Sequence, residues 1–216
     1  MKLLDKLLFR FQKSGKLSTI INLVSAFPNG KITNHKCWHG KSLTGNFLQW
    51  LYTNYAEGTS VDFALSSFNG GTANQYTKGI LGSNSGTYNA YSKLHGEVGD
   101  TLKGIVFGTG ITPVTALDYK LITLIAHGTA AGQLSYQQQG ASQAPINVDL
   151  TTTFILQRIA VNNSGDSITI NEIGIYSSQP AWGNNPICLF REIVSGGLAV
   201  LATQTLTAQI TFQVTT

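Results

Sequence analysis

From Thr205 to Thr215 apolar and polar side chains alternate without a break. Leu206, Ala208, Ile210, Phe212 and Val214 fall on one side; Thr205, Thr207, Gln209, Thr211, Gln213 and Thr215 fall on the other. Side chains on a strand point alternately to opposite faces, so this segment reads as a half-buried strand. Its outer face is Thr and Gln, neutral and β-favouring. Such a strand needs a sheet, and the sheet needs a second layer over its apolar face.

Other segments supply the partners. Phe154–Val161, Ser167–Tyr176 and Ile187–Val194 read as strands, Val61–Leu65 as a short strand and Gln133–Gln138 as a polar strand candidate, while Leu17–Phe27, Leu102–Phe107 and Leu121–Ile125 are apolar runs. Asn162-Asn163-Ser164-Gly165 reads as a hairpin turn joining Phe154–Val161 to Ser167–Tyr176, in preference to a glycosylation sequon. Gly196-Gly197 reads as the turn after Ile187–Val194. Within Ser167–Tyr176, Ile168 and Ile170 lie in one phase and Ile173 and Ile175 in the other, a change that a β-bulge would produce. Phe47–Tyr55 is open to either a short helix or a buried strand. No strand–helix alternation appears. The expected fold is therefore all-β: an antiparallel sandwich, jelly-roll-like or immunoglobulin-like, with a short N-terminal amphipathic helix.

Charge divides the chain. Charged residues are 11% of the total, against about 25% in ordinary globular domains. Residues 1–41 hold eight Lys/Arg and one acid, while 42–216 hold six and nine. A basic head precedes a mildly acidic body, which suggests that one end touches an anionic surface. Leu3, Leu4, Leu7, Leu8 and Phe11 form a helical stripe, with Lys2, Lys6, Arg10 and Lys13 on the other faces. This is the expected partner-docking segment. Asp5 and Lys6 interrupt any signal-peptide core, and no window is apolar enough for a membrane span. The chain is divided at residue 46, into a basic helix and attachment arm (1–46) and a β-sandwich (47–216). A Gly/Asn/Ser-rich excursion occupies 66–99.

Catalytic motifs are weak. Gly40-Lys41-Ser42 lacks the first Gly of a phosphate-binding loop, because position 35 is His35. Gly108-Thr109-Gly110 reads as a turn. His35, Cys37 and His39 would share one face of a strand, but no fourth ligand is nearby and the setting is basic. No metal and no cofactor are expected. Cys37 and Cys188 are read as free thiols. His127 and Asp118 read as turn or capping residues, and Glu172 as the ion-pair partner of Arg158 or Arg191. Trp182, Tyr76, Tyr88 and Tyr91, in loop-like tracts, could stack on sugar rings.

Several pieces in order and spacing resemble one family. They are Gly104–Gly110, Asp118–Leu121, Ile125–Gly128, Gly132–Tyr136, Arg158 with Asn162–Gly165, Ile168–Tyr176 and Thr205–Val214. Over about 104–216 the chain looks like uncharacterised tailed-bacteriophage virion structural proteins. The resemblance implies a β-sandwich virion component and names no catalytic residue. The expectation is a non-enzymatic particle protein, assembling with other virion proteins (capsid, collar or tail) and with its own copies. It would serve as head decoration, fibre, collar or tail component. Small-molecule substrates, nucleic acid and membranes are disfavoured as partners. The rival readings are a receptor- or glycan-binding module and a surface hydrolase.

Overall fold

Thr205–Thr215 (β11) lies in the middle of the larger of two facing sheets. The computed structural model describes residues 16–48, 63–66, 72–75, 94–140, 144–177 and 186–215. Antiparallel partners flank β11 along its whole length: Lys16–Ala26 (β1) on one side and Thr151–Val161 (β8) on the other. Ile32–Gly40 (β2) extends the sheet beyond β1. Ser135–Tyr136 (β6) and Ile146–Val148 (β7) both pair with β8. The second sheet is Ile187–Val200 (β10), Ile168–Ser177 (β9) and Gly104–Gly108 (β5), in that order. Phe63–Ser66 (β3) and Thr72–Gln75 (β4) form a separate antiparallel pair.

The alternation in β11 does what the pattern demands. Leu206, Ala208 and Ile210 are fully buried against Ile21 and Leu23 of β1 and Leu156 and Ala160 of β8. Across the interior they meet Ile105, Phe107, Ile170, Ile173, Phe190, Leu198 and Val200 of the second sheet. The all-β antiparallel sandwich expected from sequence is the fold observed. The helix among the described residues is a single turn at 45–48, at the start of the Phe47–Tyr55 segment. The expected helix over the first thirteen residues lies outside the described ones.

Residues 16–40, assigned by their charge to the attachment arm, form β1 and β2 of the large sheet. Thr19, Ile21, Leu23 and Ser25 alternate inward, all buried. Ile20 and Val24 on the other face hide that alternation in the sequence.

Two turn assignments are corrected. Asn162–Gly165 does not close a hairpin, because β8 and β9 belong to different sheets. Instead the Asn162 amide donates to Asp166 O and Val200 O, both at 2.7 Å, and its Oδ1 accepts from Ser164 N–H at 3.1 Å. These bonds anchor the crossing to the end of β10. Gly196-Gly197 does not end its strand either. Both glycines have positive φ (68° and 62°), and β10 runs on to Val200. Residues 194–197 are the extra residues between the pairs Ile193↔Glu172 and Leu198↔Ile170, with Val194 still buried in the core. The phase change in β9 is therefore real, and the extra residues sit on its partner.

The outer face of the second sheet is also covered. The loop after β5 packs Leu121 and Leu124 on Val106, Tyr176 and Cys188. A Cβ on Gly174 would come within 2.3 Å of Leu121 Cδ1, so only glycine admits the loop this closely.

Candidate functional site

The residues proposed for docking (Leu3, Leu4, Leu7, Leu8, Phe11, Lys2, Lys6, Arg10, Lys13) lie outside the described residues. So do the proposed stacking residues Trp182, Tyr76, Tyr88 and Tyr91. The chemistry available is that of the sandwich itself.

Its acidic centre is Glu172, fully buried on β9 beside Arg191 of β10. Arg191 Nε donates to Glu172 Oε2 at 2.8 Å. The same carboxylate accepts from the N–H groups of Gly110, Ile122 and Thr123, at 3.1, 3.1 and 2.8 Å. Gly108 and Gly110 approach it so closely that a Cβ on either would fall 2.5 Å from Oε1. Arg191 also reaches Asp118 at 2.7 Å and the carbonyls of Thr112 and Pro113. Of the two arginines proposed for Glu172, Arg191 is the partner.

Asp118 takes the expected turn role, accepting from Thr115 N–H and Oγ1–H. Burial works to raise its carboxyl. Hydrogen bonds from Thr115 and Arg191 outweigh that and hold it below the ordinary carboxylate range. Every group in this cluster is spent on holding the 109–123 loop against the sheet. A carboxylate already accepting four hydrogen bonds has no free lone pair aimed at a substrate.

Arg158 is a second centre, and its role was missed in the sequence. It occupies an inward position of β8, between Leu156 and Ala160, and is fully buried. Its guanidinium donates to the carbonyls of Gln137, Lys103, Ile105, Glu97 and Asp100. It lies 4.8 Å from the centre of the Tyr136 ring. Burial lowers its pKa from the ordinary arginine value. Tyr136 O–H donates to Ile125 O and accepts from Phe107 N–H. Burial pushes both its phenol and that of Tyr176 upward. His127 Nδ1 accepts from Tyr136 N–H at 3.1 Å, consistent with the turn role read for it. The inward phase Leu156–Arg158–Ala160 was the available signal for this buried cation.

On the open side of the sandwich a groove of about 790 Å³ runs between β2 and β10. Lys36 Nζ donates across it to Ser195 O, and Lys41 N–H donates to Glu192 Oε2 at 2.9 Å. Gly40-Lys41-Ser42 is thus the exit of β2 tied to β10. Trp38 lines the groove, and its buried indole N–H has no partner among the described residues. His35, Cys37 and His39 share one exposed face of β2, as strand alternation requires. They do not converge: His35 Nε2 is paired with Asn22 Oδ1 at 2.7 Å. Among the described residues no group of three His, Cys, Asp or Glu is placed to hold a metal ion. Cys37 is exposed and Cys188 buried, both as free thiols.

The outer face of the large sheet is the remaining surface. Its residues fall in rows across β2, β1, β11 and β8. One row is His35, Val24, Thr207 and Ile159; the next is Cys37, Asn22, Gln209 and Gln157; the third is His39, Ile20, Thr211 and Ile155. A fourth row is Ser18, Gln213, Thr153 and Ile146. None of these residues is Lys, Arg, Asp or Glu.

No protein-family model, curated protein or solved structure matches the chain.

Proposed function

We propose that this protein is a non-enzymatic structural component of a tailed-bacteriophage particle. In this reading it assembles with other virion proteins (head, collar or tail) and with copies of itself, its place is the virion, and the basic amphipathic segment over residues 1–13 is the docking segment. The observation that carries the assembly reading is the block of four charge-free rows on the outer face of the large sheet. A protein surface ordinarily keeps its charge in water, whereas the core of a contact is depleted in charge because unpaired charges are costly to bury.

Two further observations support it. The buried polar centres at Glu172 and Arg158 are fully engaged in holding loops to the sheets, which fits a scaffold better than a catalyst. The segments that carry the family resemblance also meet at those centres. Gly108, Gly110 and Asp118 surround the Glu172–Arg191 pair, and Tyr136 and Arg158 stack in the interior.

Incorporation tests the proposal. A chain lacking residues 1–16 is expected to fold but to be missing from purified particles. Normal incorporation of the truncated chain would remove the docking role. The alternative, a receptor- or glycan-binding module, rests on Trp182, Tyr76, Tyr88 and Tyr91. Trp182→Ala should then abolish host-cell adsorption, and unchanged adsorption would sink that alternative.

A further inference from the structure

We propose that the outer face of the large sheet pairs with the same face of a second copy. The copies would be related by a two-fold axis running along the row Cys37–Asn22–Gln209–Gln157. The inference names the self-association surface within the assembly reading and rests on that reading for its setting.

The pattern of the face carries it. The rows on either side of the Asn22–Gln209–Gln157 row match strand by strand. His35 answers His39 on β2, Val24 answers Ile20 on β1, Thr207 answers Thr211 on β11, and Ile159 answers Ile155 on β8. A contact between identical surfaces must be self-complementary under a two-fold axis. An axis along the middle row lays one flanking row on the other. It sets Val against Ile, Thr against Thr, Ile against Ile and His against His.

On the axis itself Asn22, Gln209 and Gln157 each meet their own equivalents. An amide carries both donors and an acceptor, so like can bond to like. A charged residue on the axis would meet its own charge, and the row on the axis has none.

The size is adequate. With the Ser18 row at one end, and Ala26, Thr205 and Val161 at the other, the face offers roughly 20 residues, the number that one side of a standard interface uses. Aligned sheets pack about 10 Å apart, rotated by about 30°, which a two-fold axis tilted about 15° from the perpendicular to the strands produces. A heterologous partner would have no reason to need a pattern that mirrors itself about its central row.

The arrangement makes a covalent prediction. Cys37 ends the middle row, so the two Cys37 thiols face each other at about the sheet spacing. That is too far for a disulfide, which needs Cα atoms within about 7 Å, and within reach of a short bismaleimide. Cys188 is buried and burial pushes its thiol pKa upward, so the reagent reads Cys37 alone.

The test uses the purified full chain, examined by light scattering over about 10–100 μM and by cross-linking with o-phenylenedimaleimide. The expected result is a dimer that becomes covalent, with the link lost in Cys37→Ser. Gln157→Lys, at an exposed position on the axis, should weaken the dimer about 100-fold, since juxtaposed like charges cost several kcal/mol. Its circular dichroism, and its melting temperature at a dilution where both chains are monomeric, should stay unchanged. Leu117→Lys, on the loop over the second sheet and 87% exposed, should leave the dimer intact. A monomer throughout the range, or a dimer that Gln157→Lys does not weaken, would overturn the proposal. Either result, with the chain still present in particles, removes the surface and leaves the particle reading standing. An intact dimer from a chain absent from particles does the reverse.

Discussion

Arg191 and Glu172 lie on adjacent strands of the smaller sheet, both with fully buried side chains, joined by an Nε–Oε2 hydrogen bond of 2.8 Å. The pair explains why the long connection after β5 is ordered. Glu172 collects three backbone N–H groups from that connection, and Arg191 collects two of its carbonyls and Asp118.

Removing one partner should therefore cost far more than a surface ion pair does. Arg191→Met leaves a buried carboxylate without its cation, and we expect a loss of about 3–5 kcal/mol in urea unfolding. Arg191→Met combined with Glu172→Gln should recover part of that, because the uncompensated charge is gone. A loss under about 1 kcal/mol for the single variant would show that the pair does not hold the loop.

Arg158 acts through geometry as well as charge. Its planar fork serves five carbonyls from two segments, and a lysine has only three donors on a single nitrogen. Arg158→Lys should therefore still lose at least about 3 kcal/mol, because buried carbonyls are left unpaired. Amide hydrogen exchange should speed up across residues 94–103, which are tied down by Arg158. Full rescue by lysine would mean that charge alone suffices.

The Asp118 contribution has a defined pH dependence. Its carboxyl titrates lower in the folded protein than in the unfolded chain. The stability it confers is thus complete above the ordinary carboxylate value of 3.8 and fades as pH falls through the lower folded value. Asp118→Asn should cost about 1.5–3 kcal/mol at pH 7. The gap between wild type and variant should narrow below about pH 4. A gap that stays constant from pH 7 to pH 3 would contradict the ionised pairing with Arg191.

Where the sequence was readable, one segment contained the whole signal. The alternation in β11 is complete in itself, and it predicted both the strand and its neutral outer face. The phase change in β9 was equally visible. Asn162–Gly165 misled because turn chemistry says that a chain reverses, not which sheet receives it. The deciding bond, Asn162 to Val200 O, spans 38 residues. In β1 the basic surroundings and the apolar residues on both faces concealed an inward alternation of Thr19, Ile21, Leu23 and Ser25. Asp118 and Glu172 were separately legible as a turn residue and an ion-pair partner. Their convergence on Arg191 depends on pairing β9 with β10, which no local pattern encodes. The mirrored rows of the outer face likewise exist only once β2, β1, β11 and β8 are in register.

Quantitative mass spectrometry of purified particles tests the central claim most directly. The account predicts the chain as a stoichiometric component, present at a fixed ratio to the major capsid protein and retained through density-gradient purification. Its absence from purified particles, with normal abundance in infected cells, would contradict the claim.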